Sequence, residues 1–350
     1  MVRRYALTAL VLALSVPARG GEMPANWLDA CFPTLAAGGD SAPRPEAPAR
    51  RTTRMTQDKY PLPTHTVEGT GGSQFVPVAY LVNPGPADEP LGRPAISMRY
   101  SDLRHRKNLV TVAVSETLFG RVELSYALNR LNLGTLPRES SARLGAGGTF
   151  AHHNVHMHNF NVRVLLVEED AFDLVLPAVT AGVSFKYNDS IRAINNRLGV
   201  PLDPLGYERS SGLEFTLHIT KKFELDPFEL GDVPPVIATV GVRNSEASYI
   251  GFLGFTDHRA TTVEATFTTF LAEWLAVSYD FRRNQQALSD SAPGAIPPPG
   301  LLRGEENWNG IGVALILSEN LTIEGGFAWL GNIANTEADG AWGVGVKWEF

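Results

Sequence analysis

"AWGVGVKWEF", residues 341–350, decides the fold. Trp342, Val344, Val346, Trp348 and Phe350 fall on every second position, and Ala341, Gly343, Gly345, Lys347 and Glu349 fall between them. On a strand these two sets point to opposite faces. One face is large and apolar and suits lipid; the other is small or charged and suits a crowded interior. A soluble domain seldom closes on such a run, because chain ends fray in water.

The same alternation recurs from about Glu68 onward. "AISMRYS" places Ile96, Met98 and Tyr100 on one face, and "LVTVAVS" places Val110, Val112 and Val114 there. "RVELSYALN" sets Val122, Leu124, Tyr126 and Leu128 against Glu123, Ser125 and Asn129. "HNFNVRVLLV" sets Phe160, Val162, Val164 and Leu166 against Asn159, Asn161 and Arg163. "LPAVTAGVSFKY" and "GLEFTLHITK" follow the same rule, with Lys186 and Glu214 on the polar faces. So do "VIATVGVR", "TVEATFTTFL", "WLAVSYDFR", "GIGVALIL" and "LTIEGGFAWL". With the closing stretch these make about twelve strands.

Each candidate is near ten residues long. At roughly 3.3 Å per residue and a tilt near 45°, such a strand rises about 23 Å, close to the apolar height of an outer membrane. Soluble strands average roughly 5–6 residues. The links add an independent argument. Those after the third, fifth, seventh and ninth strands, 134–153, 188–210, 245–259 and 284–307, are long and rich in Gly, Pro, Asn or Ser. "ETLFG", "EEDAF", "LAE" and "SEN", after the second, fourth, eighth and tenth, are short. Long external loops and short periplasmic turns are the pattern of a bacterial barrel with both ends inside. "ELDPFELGDVPP", after the sixth strand, breaks it. Because lipid offers no hydrogen bonds, such a sheet must close. The fold class is therefore an all-β, antiparallel up-and-down transmembrane β-barrel.

The start of the chain points to export. "MVRRYALTALVLALSVPARG" carries two arginines, an apolar run from Tyr5 to Val16 and then small residues and Pro, the anatomy of a secretory signal peptide. We read 1–21 as a cleaved signal, 22–66 as a Pro- and Ala-rich periplasmic segment without periodicity, and 67–350 as the barrel. That places the mature chain in the outer membrane of a Gram-negative bacterium. Cys31 is the sole cysteine, so no internal disulfide forms. "LDAC" is a poor lipid-anchor signal, since Asp29 occupies a position that wants a small or apolar residue. No stretch of about 20 apolar residues supplies a spanning helix. The 350 residues carry a formal net charge of −7 and no basic excess, which argues against a nucleic-acid partner.

"EGTGGSQFVPVAYL", "GRVELSYALNRLNLG", "LPAVTAGVSFKYN", "IGFLGFTDHR" and "WLGNIANTEADGAWGVGVKWEF" together resemble the domain of unknown function 3034 family, bacterial proteins expected in the outer membrane. The resemblance runs from about Glu68 to Phe350. It implies the location and the barrel, and it carries no established activity and hence no catalytic residues. It also implies that Trp348 and Phe350 act as the aromatic C-terminal signal read by the barrel-assembly machinery. That machinery and outer-membrane lipids are the expected partners.

Four features bear on chemistry. "EGTGG", 68–72, lacks the Gly-Lys-Ser/Thr ending of a phosphate loop. Its glycines suit close backbone passage, and residues 67–83 read either as an internal plug or as a lead-in strand. His152, His153, His156 and His158 crowd "HHNVHMHN", with His156 and His158 on one strand face, but no local Cys or carboxylate completes a zinc set. No metal or other cofactor is expected. A Ser–His hydrolase of the outer leaflet would need a nucleophile within reach of a base. His158, not Ser, stands two residues beyond His156, and "NDS", 188–190, falls in a loop, so no enzyme activity is expected. Finally, the phase of the strands sends Arg99, Arg163, Lys186, Arg243, Arg282 and Lys347 inward, together with Glu123, Glu214, Glu264, Asp280, Glu324 and Glu349. A selective pore shows one sign in excess. Balanced signs fit either a cross-lumen network that narrows the pore or a weakly selective channel. The leading expectation is a passive or export-associated channel for small solutes or a polysaccharide. A closed scaffold barrel that binds partners through loops or its N-terminal arm is the alternative, and the lipid hydrolase comes third.

Overall fold

In the computed structural model, residues 64–85, 89–135, 154–193, 209–224, 235–247, 249–284, 305–333 and 336–350 are described below. The signal peptide, the 22–63 part of the Pro-rich segment, His152, His153 and "ELDPFELGDVPP" beyond Glu224 lie outside them or nearly so. Among the described residues, two-residue strands β1 (Thr64–His65) and β2 (Gly71–Gly72) pair with each other, and Gly72 also bridges Pro77. Twelve further strands form a closed antiparallel barrel. They are β3 (Ala95–Asp102), β4 (Asn108–Leu118), β5 (Val122–Asn132), β6 (Asn154–Val167), β7 (Ala178–Asn188), β8 (Ser211–Phe223), β9 (Val236–Ala247), β10 (Phe255–Ala272), β11 (Leu275–Arg282), β12 (Trp308–Ile316), β13 (Leu321–Ile333) and β14 (Thr336–Glu349). Each pairs with its sequence neighbours, and β14 closes the ring on β3 with Trp348 opposite Ile96 and Val344 opposite Tyr100. The closing run therefore has the partner that a sheet edge in lipid needs.

The pleat sorts side chains as the alternation demands. Ile96, Met98, Val112, Val114, Phe160, Val162, Val164, Val344 and Val346 are exposed on the outside. Aromatic rings flank this apolar belt. Tyr100, Tyr187, Tyr279, Trp329 and Trp342 are exposed toward one end, and Phe119, Phe172, Trp274, Trp348 and Phe350 toward the other. Such girdles mark the two interfaces of a membrane barrel.

The turn end, where β3 begins and β14 stops, has links of 119–121, 168–177, 224–235, 273–274 and 317–320. At the opposite end the links are 103–107, 133–153, 189–210, 248–254, 283–307 and 334–335. The seventh link is shorter than the sequence suggested, because β9 and β10 run on to Ala247 and from Phe255. The first and last links at the loop end, 103–107 and 334–335, are also short, which the four long loops alone do not foreshadow.

Candidate functional site

The barrel interior is occupied by the chain itself. Residues 64–82 enter near the turn end, rise and return, and add no strand to the wall. At the entrance His65 is gripped by Ser97 and Ser115, each 2.8 Å from a ring nitrogen. Near the exit Val82 donates its N–H to Glu123 at 2.9 Å, and Thr117 donates to the Val82 carbonyl. Gly69 allows the chain to pass close to β5. Its φ is +86°, and a Cβ there would lie 2.5 Å from the Ala127 Cβ. Only glycine takes both the angle and the approach without strain.

Most ties run from wall side chains to the backbone of this hairpin. Asn129 donates to the Val67 carbonyl at 2.7 Å and Asn161 to the Glu68 carbonyl at 3.0 Å. Glu123 accepts from Gly71 N–H at 3.1 Å, while Arg163 donates to the carbonyls of Gly71 and Val78. Asp280 accepts the N–H groups of Gln74 and Phe75, and Thr220 accepts that of Ala79. The wall thus treats the hairpin much as a binding site treats a peptide, meeting buried amides that would otherwise go unpaired.

One side chain of the hairpin carries the electrostatics. Glu68 is buried and faces Lys186, Arg243 at 3.0 Å and Arg282 at 2.8 Å. Glu214 and Glu264 complete the cluster. Glu214 reaches Lys186 at 2.9 Å and also Arg243, and Glu264 reaches Arg243 at 3.0 Å and His218 at 2.6 Å. Three carboxylates therefore meet three fixed cations. Pairing of this quality is what makes a buried charge tolerable.

Of the twelve charged residues named from the strand phase, ten are buried, and Arg99 and Glu349 are half-buried. Eleven fall into local groups: Arg163 with Glu123, Arg99 with Glu324 at 2.7 Å, Lys347 with Glu349, and the Glu68 cluster with Lys186, Glu214, Arg243, Glu264 and Arg282. Among the described residues Asp280 makes no ion pair, and it is held by Ser73, Thr266 and two backbone amides. Sequence reasoning missed Glu68 as the hub. The available signal was that it is the sole carboxylate among residues 64–82. It also missed that the lumen turns apolar toward the loop end. There Leu103, Leu109, Leu131, Val155, Met157, Trp308, Leu330 and Ile333 cluster with Phe75, and Tyr249, Ile250 and Phe252 of the 248–254 link fold in among them.

Outside the barrel, His156 and His158 lie 3.7 and 3.6 Å from Asp189, and Tyr126 Oη is 2.9 Å from His158 Nδ1. The Ser190 hydroxyl is bonded to Asp189, not to an imidazole. Among the described residues no group of three or more His, Cys, Asp or Glu is arranged to hold a metal ion. Trp348 and Phe350 are exposed on the outer face at the turn end.

These features define a transmembrane β-barrel with a lumen filled by its own chain. Residues 63–347 match the family described as protein of unknown function DUF3034, and the chain belongs to that family. No curated protein matches the sequence. Among solved structures, the KdgM porin aligns at 8% identity over 73% of this chain and 99% of its own, with a TM-score of 0.41. Omp33 of Acinetobacter baumannii aligns at 8% over 74% and 98%, with 0.40. Outer membrane phospholipase A of Escherichia coli aligns at 10% over 73% and 91%, with 0.32. The likeness is one of barrel architecture.

Proposed function

We propose that this protein is an outer-membrane channel closed by its own luminal hairpin, residues 64–82, which acts as a plug. Small solutes, or a glycan in transit, pass when the plug shifts. The observation that carries this reading is the chemistry of the plug's seat. Most of its ties are hydrogen bonds and ion pairs from the wall to backbone and to Glu68. Water can replace such ties one by one as a plug moves, whereas a permanently filled lumen is more simply built from apolar packing. The polar wall supports a hydrated path once the hairpin leaves. The closed scaffold barrel is the competing reading, and the apolar packing of Tyr249, Ile250 and Phe252 in the lumen favours it.

Efflux from proteoliposomes separates the two. Arg163→Ala removes the bonds to the Gly71 and Val78 carbonyls. For a gated channel, trapped glucose leaves faster through this variant than through wild type. Equal, slow efflux from both, with the barrel intact by its heat-dependent gel shift, supports the scaffold.

A further inference from the structure

A cavity of about 150 Å³ lies between the hairpin and the wall formed by β11–β14 and β3. Phe75, Leu109, Leu131, Phe252, Trp308 and Leu330 give it an apolar lining toward the loop end. Gly312 and Gly326 leave the opposite wall flat. A Cβ at Gly326 would lie 2.6 Å from Gln74 Oε1, and one at Gly312 would lie 3.2 Å from Gln74 Nε2. These glycines therefore make room for the Gln74 side chain, which lines the cavity.

The charges on the lining are already paired, Arg99 with Glu324 and Lys347 with Glu349. Gln74 differs. Its backbone is fixed, with N–H to Asp280 at 3.0 Å and carbonyl from Arg99 at 2.9 Å. Yet its Nε2 is shielded and has no partner, and among the buried polar atoms left unpaired in the described residues it is the one on this cavity. Gln74 as a whole is half-buried, so only this nitrogen is shielded, and a shielded donor without a partner is rare.

We propose that this cavity binds a small, uncharged, mostly apolar molecule of about phenol size, which offers one oxygen to the Gln74 amide. An apolar protein cavity of about 150 Å³ stays dry and accepts benzene. A charged guest would be desolvated without a free counter-charge. Hydroxyls of Ser101, Thr268, Ser278 and Thr322 also line the cavity, but its surface is mostly apolar, so a sugar would leave several of its hydroxyls unpaired. A single hydroxyl satisfies Gln74 whichever way its amide is turned, since it both donates and accepts. The site goes beyond the channel reading and stands whether or not the barrel conducts.

Fluorine NMR on the full chain in detergent micelles tests it, with 4-fluorophenol and fluorobenzene as probes and protein-free micelles as the control. Wild type is expected to give a signal for 4-fluorophenol that unlabelled phenol displaces, and to hold it about fivefold tighter than fluorobenzene, as one net hydrogen bond allows. Gln74→Leu should erase that preference while retaining fluorobenzene. Leu131→Trp should lose both probes by filling the space, and Ala328→Leu serves the same purpose if the larger residue prevents folding. Displaceable binding that matches empty micelles, that survives filling, or that keeps its phenol preference in Gln74→Leu overturns the proposal.

Discussion

Glu68→Gln is the sharpest perturbation, because it keeps the shape of the hairpin and removes one charge. The wild-type cluster sets Glu68, Glu214 and Glu264 against Lys186, Arg243 and Arg282. The variant leaves three buried cations facing two carboxylates. Breaking one partner of a buried ion pair costs about 3–5 kcal/mol. The Glu68 carboxylate belongs to the hairpin and its partners to the wall, so this loss falls on seating rather than on barrel closure. At about 1.4 kcal/mol per tenfold, the unseated population rises by about 10² to 4 × 10³. Amide hydrogen exchange in micelles reads that ratio directly. The N–H groups of Gly71, Gln74, Phe75, Ala79 and Val82 are bonded to wall side chains and should exchange slowly in wild type. In the variant they should exchange faster together by that factor, while strand amides in β4 and β5 stay protected. Unchanged exchange at these five amides in a correctly folded variant would refute the reasoning, and so would loss of protection throughout the barrel.

Three further outcomes follow from single contacts. Gly69→Ala puts a methyl onto Ala127 at a left-handed backbone position and should weaken seating by about 1–3 kcal/mol, seen as faster exchange of the same amides. Val344→Lys sets a charge on the outer face of β14 and should cost about 2–4 kcal/mol of folding stability in lipid vesicles, measured by urea titration. Glu305 accepts the Tyr249 N–H at 2.6 Å beside the loop end, and burial pushes its pKa from 4.5 up to about 8, against weaker opposition from that hydrogen bond and Arg282. Since the docked state holds the proton more tightly, its contribution is complete below about pH 4.5 and is lost as pH rises through about 8. Exchange at residues 249–252, corrected for intrinsic rate, should therefore be faster at pH 9 than at pH 5, and Glu305→Gln should flatten the difference.

The wall was readable because lipid imposes a rule on every strand. Phe160, Val162 and Val164 had to face out, and Asn159, Asn161 and Arg163 in, so the period of two carried the fold. The rule lapses near the loop end, where Leu109, Leu131 and Trp308 are apolar yet buried inside. A second apolar face looks the same in sequence whether it meets lipid or a filled lumen. The pairing of the charges was not readable either. Arg282 meets Glu68 across 214 positions of chain. Such contacts depend on how the barrel closes around the hairpin, and strand periodicity holds no trace of it. Gly69 signalled a close approach, but Ala127 as its neighbour emerges only from the folded barrel.

Single-channel current tests the account most directly, with wild type and a chain lacking residues 64–82 compared in the same planar bilayer. The deletion should give steady open steps, while wild type stays mostly silent and opens briefly. A deletion variant that folds and remains silent, or wild-type currents equal to those of the deletion, would contradict a channel closed by its own hairpin.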